Sequence, residues 1–216
     1  MITYYNIHTH FPSDHSDEVT IVNRIIKGTK MQRGEKGERD FLSVGIHPWY
    51  IDDAEKQIKQ LREFSIFPEV VAIGEAGLDK LTDTSFDIQQ QVFIQQTNLA
   101  EELQKPLIIH CVKAWQELIA IKKQINPGTA WIIHGFRGKP DLAEQLLHQG
   151  FYLSFGEHFN PEALSVSWES TRLFAETDDA TINIRSIYQQ IATTLHISKE
   201  EIARQIQRNF HLVFFM

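Results

Sequence analysis

Eight short runs rich in β-branched and aromatic residues recur along the chain, and most are followed by a longer stretch with helical periodicity. The runs are YYNIH (4–8), VTIVNRI (19–25), FLSVGI (41–46), VVAIG (70–74), PLIIH (106–110), AWIIH (130–134), FYLSF (151–155) and RLFAET (172–177). Their length and residue types are those of strands. Between them, AEKQIKQLREF (54–64), IQQQVFIQQTNLAEELQ (88–104), WQELIAIKKQI (115–125), DLAEQLLHQ (141–149) and PEALSVSWES (161–170) read as amphipathic helices. Two more helices, 184–195 and 198–210, close the series, the second opening on the capping box Ser198-Lys199-Glu200-Glu201. Strands alternating with helices build a parallel sheet, and eight of them point to a TIM-type (β/α)8 barrel. The competing architecture, an open doubly wound sheet, lacks its Gly-x-Gly-x-x-Gly turn here. Between the second and third runs the chain reads KGTKMQRGEKGERD, polar and loop-like. The expected barrel is therefore distorted, with helices reduced between strands 1 and 3. Parallel strands are ordinarily covered on both faces, so a second copy of the chain, in a weak homo-oligomer, is the expected cover there.

The 216 residues contain no Gly/Ser- or Pro-rich linker and read as a single domain, 1–216. Hydrophobic residues make up 42% and charged residues 23%, with no uninterrupted apolar stretch near the about 18 residues of a membrane span. The N-terminal residues lack the pattern of an export signal and Cys111 is the single cysteine, so a reducing cytoplasm is the expected location. A formal net charge of −7 argues against a protein that holds a polyanion with its general surface. It leaves room for a phosphate bound locally.

Side chains able to bind metal fall at the carboxyl ends of these strands. His8 ends the first run and His10 lies two beyond; His47 follows the third, Glu75 the fourth, His110 ends the fifth, His134 the sixth, and Asp178 follows the eighth. In a barrel those ends meet on the face where active sites are built. Residues i and i+2 of an extended segment point the same way, so His8 and His10 can present two imidazoles to one ion. One histidine at a strand end is more often a hydrogen-bonded cap than a ligand. The distribution carries the reading: five of the ten histidines sit at four strand ends, whereas His148, His196 and His211 lie in helical segments and His15 and His158 in loops. Nitrogen and oxygen donors without thiolate suit Zn, Mn, Fe or Mg.

The phrases NIHTHF, VGIHPW, AIGEAGLD, LIIHCV, IIHGFRG and AETDDA resemble, in order from residue 6 to 179, the signature blocks of the TatD-like metal-dependent hydrolases (the TatD deoxyribonuclease family of the amidohydrolase-like superfamily), and the closing QRNF is similar to that family's end. The resemblance implies a distorted TIM barrel with one or two divalent ions (Mg, Mn or Zn) and hydrolytic activity, characterised members being deoxyribonucleases. It assigns His8, His10, Glu75, His110, His134 and Asp178 as ligands, with Glu75 as the bridging carboxylate, and places His47 near the substrate. Departures are Lys80 after the GLD block, HCVKA after the fifth strand, Arg137 where a serine is usual, and a chain shorter before residue 41.

The expected chemistry is hydrolysis by a metal-activated hydroxide, since a divalent ion lowers the pKa of bound water from about 16 toward 7. Asp178 is either a ligand alone or also the acceptor of the water's proton, and Glu75 serves the same catalytic centre. Arg137 is the candidate to hold a phosphate oxygen through its bidentate fork, while Lys113 reads better as a solvated charge. The leading function is a phosphodiesterase acting on nucleic acid such as single-stranded DNA. A hydrolase of a small ester, lactone or amide is the alternative, followed by a non-catalytic metal-binding protein.

Overall fold

A computed structural model describes residues 2–27 and 40–215. Among them are eight strands: β1 (Tyr4–Thr9), β2 (Glu18–Ile25), β3 (Asp40–Gly45), β4 (Val70–Asp79), β5 (Leu107–Val112), β6 (Trp131–Ile133), β7 (Phe151–Phe155) and β8 (Leu173–Ala175). The α-helices are α1 (Ala54–Ser65), α2 (Phe86–Leu103), α3 (Trp115–Ile125), α4 (Pro140–His148), α5 (Pro161–Glu169), α6 (Ile184–Leu195) and α7 (Lys199–Phe214), with a 3-10 turn at Pro48–Tyr50. The strands form one sheet in the order β1 to β8. A parallel bridge between Thr9 and Asp178 then joins the chain just beyond β8 back to β1, which is the connectivity of the expected barrel. No helix is described between β1 and β2; most of the polar segment before β3, 28–39, lies outside the described residues.

The chain divides into two compact units. The first contains the described parts of 1–22, 36–41 and 132–216. Its core holds Ile7, Phe136, Phe151, Phe155, Phe174, Tyr188 and Phe210, all essentially inaccessible to solvent. Tyr188 of α6 donates its hydroxyl to the Tyr5 carbonyl (3.1 Å) and accepts the Tyr5 N–H (3.0 Å), tying the helix to β1. A second seam joins β1 to the end of β8. Asn6 Nδ2 donates to Thr177 Oγ1 (2.8 Å), Thr177 N–H donates back to Asn6 Oδ1 (3.2 Å), and Thr177 Oγ1 donates to Thr9 Oγ1 (3.0 Å). These buried, mutually satisfied polar groups fix the register of the two strand ends that carry His8, His10 and Asp178. Beside the β1–β2 connection this unit has a cleft of about 380 Å³, lined by residues including Phe11, Glu18, Thr20 and Ile184.

The second unit contains the described parts of 23–35 and 42–131. Here β3, β4 and β5 pair in parallel, and Phe93 of α2 packs edge-on against Trp131 at 5.6 Å. The helices begin where local chemistry allows: Asp53 caps α1 by accepting the Lys56 N–H (3.2 Å). In the first unit Asn160 caps α5 by accepting the Ala163 N–H (2.9 Å), with Pro161 at the first helical position, and Ser198 and Glu201 form the reciprocal capping box of α7.

Three strands that carry the site differ in extent from expectation. β4 runs on to Asp79 and β5 to Val112, so Glu75 and His110 lie inside strands instead of at or beyond their ends. The cause is Gly77, opposite His110 in the register: a Cβ there would collide with the His110 carbonyl oxygen, so glycine lets the two strands stay paired past the point where side-chain pattern suggests a stop. β8 is shorter than expected, ending at Ala175, and Asp178 follows it by three residues.

Candidate functional site

In the first unit, the end of β1 and the segment after β8 are laced together. Asp178 donates its N–H to the His8 carbonyl (3.0 Å) and accepts, at its own carbonyl, the N–H of His10 (3.1 Å) and the Thr9 hydroxyl (3.1 Å). This places it between the two histidines with φ +53, a left-handed conformation that aspartate tolerates better than most residues. Its Oδ1 lies 3.5 Å from His8 Nε2 and 3.4 Å from His10 Nε2. Burial disfavours the charged carboxylate, but hydrogen bonds from His10 and His8 and the nearby charge of His8 and His134 outweigh it, holding Asp178 well below the usual carboxylate range. His134, just past β6, lies with its ring 4.3 Å from that of His8. Donor atoms of His8, His134 and Asp178 all fall within 4.8 Å of one another.

Behind His134 stands Glu176, fully buried. Its Oε1 accepts the Gly135 N–H (2.8 Å) and lies 3.3 Å from His134 Nδ1, while Oε2 is buried with no hydrogen-bond partner among the described residues. A carboxylate on one imidazole nitrogen sets the tautomer and aims the other nitrogen outward. A cavity of about 140 Å³ opens beside this group, lined by residues that include Arg137, His158, Asp178 and Asp179.

The second unit holds its own cluster. Glu75 Oε1 lies 3.2 Å from His47 Nε2 and 3.1 Å from His110 Nδ1, and donor atoms of all three residues fall within 4.8 Å of one another. Glu75 is held from behind by Asn23, whose Nδ2 donates to Oε2 (3.0 Å) and whose Oδ1 accepts the Glu75 N–H (3.0 Å). His110 Nε2 in turn lies 3.2 Å from Asp79 Oδ2, which also accepts the Trp49 Nε1–H (2.7 Å). Asp79 is opposed by burial, yet the Trp49, Leu81 and His110 contacts prevail and lower its pKa.

Both clusters fit divalent metal. Ligands about 2.1 Å from a shared ion stand roughly 3.4 Å apart in a tetrahedron. The separations of 3.5 Å in the first cluster and 3.1–3.2 Å in the second are of that size. Cys111, adjacent to His110, is not in any of these donor groups among the described residues, and burial pushes its thiol up to about 12.

Within the first unit the structure brings together His8, His10, His134 and Asp178, with Arg137 on the adjoining cavity, and within the second it brings together His47, Glu75 and His110. His47, expected near the substrate, stands at ligand distance from Glu75. Lys113 adopts a left-handed backbone conformation after β5 and is exposed. Sequence pattern alone does not single out Asn23, Asp79 and Glu176. Asp79 and Glu176 sit inside the GLD and ETD blocks, and Asn23 interrupts the β-branched run VTIVNRI; an isolated polar residue in an otherwise apolar strand was the available signal.

Residues 19–215 match the family model described as TatD related DNase. The chain is 32% identical to the metal-dependent hydrolase YabD of Bacillus subtilis over 201 residues, covering 82% of this chain and 79% of that one. It is 28% identical to the 3'-5' ssDNA/RNA exonuclease TatD of Pantoea vagans, covering 95% of each. Among solved structures, the TatD homologue YJJV of Escherichia coli K12 superposes with a TM-score of 0.82 at 21% identity, covering 99% of this chain and 98% of that one, which shows the shared barrel fold. With its eight-stranded parallel barrel and its clusters of histidine and carboxylate donors, the chain belongs to the TatD family of metal-dependent hydrolases.

Proposed function

We propose that the protein is a divalent-metal-dependent phosphodiesterase acting on single-stranded nucleic acid. The observation that carries the substrate class is the cavity beside the first cluster, where the Arg137 guanidinium and the ligand-type carboxylate of Asp178 share one opening. A guanidinium can grip a phosphate oxygen with two parallel N–H donors. The activity named for the Pantoea vagans relative is of this kind.

In this reading the residues that would hold metal are His8, His10, Glu75, His110, His134 and Asp178. The metal, Mg, Mn or Zn, supplies Lewis acidity and a water made acidic near neutral pH. Asp178 Oδ1, kept ionised by its histidine contacts, would serve as the proton acceptor and orienting group for an attacking water at this centre. Arg137 holds a non-bridging phosphate oxygen. Glu176 and Asp79 hold the His134 and His110 rings against rotation, so the donor nitrogens are in place before substrate arrives.

A small neutral ester, lactone or amide is the second reading, favoured by the carboxylates of Glu157 and Asp179 on the same cavity wall, which offset the charge of Arg137. A panel of metal-reconstituted protein against a short single-stranded oligonucleotide, a lactone and an amide separates the two. Shortening of the oligonucleotide is expected; lactone or amide turnover with no phosphodiester cleavage would promote the second reading.

A further inference from the structure

Trp49 is a large indole held at the second cluster yet 54% exposed to solvent. Three constraints hold it. Its backbone lies in the 3-10 turn Pro48–Tyr50, where Pro48 fixes φ and His47 Nδ1 accepts the Trp49 N–H (3.2 Å). Its Nε1–H donates to Asp79 Oδ2 (2.7 Å), a carboxylate only 2% exposed. Its ring stands nearly perpendicular to those of His47 (4.9 Å, 81°) and His110 (5.8 Å, 77°). The polar end of the indole is therefore buried in the site while much of its flat apolar surface faces water. Core packing does not require this arrangement, since an exposed tryptophan leaves apolar area unburied. It does present a pre-oriented aromatic surface within contact distance of two histidines that can serve as metal ligands or substrate contacts.

The groups around this ring narrow what it can receive. The Asp79 carboxylate takes the indole N–H, and no arginine or lysine is paired with the indole among the described contacts, so the ring itself offers stacking and not anion binding. We propose that Trp49 is a stacking platform for a nucleobase of the single-stranded substrate, holding the nucleotide next to the scissile phosphodiester. This rests on the phosphodiesterase reading above and adds the part of the substrate that is recognised. Base–aromatic stacking is strong for every base, so binding through Trp49 gives affinity for single strands with little sequence preference.

Two measurements on the metal-loaded, full-length protein test it. The first compares kcat and KM for an oligothymidylate and for an abasic phosphodiester chain of equal length. The wild type should favour the base-bearing chain in kcat/KM by about tenfold or more. Trp49→Ala should bring that ratio near one by raising KM for the base-bearing chain. Trp49→Phe should keep part of the ratio, because a ring remains although the bond to Asp79 is lost. The second follows tryptophan fluorescence on adding a methylphosphonate-linked oligothymidylate, which resists cleavage: quenching is expected in wild type and not in Trp49→Phe. A wild-type ratio preserved in Trp49→Ala overturns the proposal. Quenching without any cleavage of phosphodiesters would leave stacking standing and overturn the phosphodiesterase reading. Equal cleavage of both chains without quenching would do the reverse, and neither cleavage nor quenching would overturn both.

Discussion

Asp178 shows how one residue can combine placement, charge and chemistry. Its main chain is bonded on both sides to β1 and its carboxyl oxygen sits between two imidazoles, so its position is set by the backbone and its ionisation by its neighbours. Asp178→Asn keeps the shape and the backbone bonds while removing the charge and the ability to accept a proton. Turnover should fall by about 10²–10⁴-fold, as for a lost general base, with metal stoichiometry falling far less. Both quantities are measured on one preparation at saturating metal. A loss of activity that merely tracks lost metal, and recovers when metal is added, would reduce Asp178 to a ligand. A companion test addresses Glu176, whose buried oxygen faces His134: Glu176→Gln should weaken metal affinity by about 10–100-fold, read by titration calorimetry, and unchanged affinity would remove its orienting role.

At the scale of elements, the paired strands β4 and β5 carry Glu75 and His110, and the close approach of those strands depends on Gly77, which lies opposite His110. Gly77→Ala would drive a methyl group into the His110 carbonyl. A destabilisation of about 1–3 kcal/mol is expected, seen as a lower urea midpoint. Gly128→Ala, whose added Cβ would meet only the Glu101 carboxylate at 3.5 Å, should stay within about 0.5 kcal/mol of wild type. Equal midpoints for wild type and Gly77→Ala would show that the strands part without cost. The strand runs and helices were legible in sequence because their periodicities are local, and α3 and α6 have the expected bounds. The extension of β4 and β5 was not, because it depends on a glycine in one strand meeting a carbonyl about 30 positions away. The same limit applies to the site. His8, His10, His110, His134 and Asp178 stand out as ligand types at strand ends, whereas the roles of Asn23, Asp79 and Glu176 arise only from neighbours brought close by folding.

For the whole molecule, the acidic chain and the local character of its cationic contact belong together. With a net charge of −7 the surface does not draw a polyanion by its general field, so in the proposed function substrate would be held by local contacts: metal, Arg137 and the Trp49 ring. None of the described helices is long and apolar enough to cross a membrane. Family membership makes the chain a metal-dependent hydrolase; the donor sets imply that removing the ions removes the chemistry while much of the barrel persists, because its core in each unit is built from apolar side chains. The most direct measurement is cleavage of a short single-stranded oligonucleotide by one preparation carried through three states: as reconstituted with Mn or Mg, after EDTA and dialysis, and after the ion is restored, with circular dichroism recorded in each. Cleavage that disappears with the metal and returns with it, over an unchanged helical signal, is the predicted result. Cleavage that continues undiminished after the ions are removed, or no cleavage in any state beside clear turnover of a lactone or amide, would contradict it.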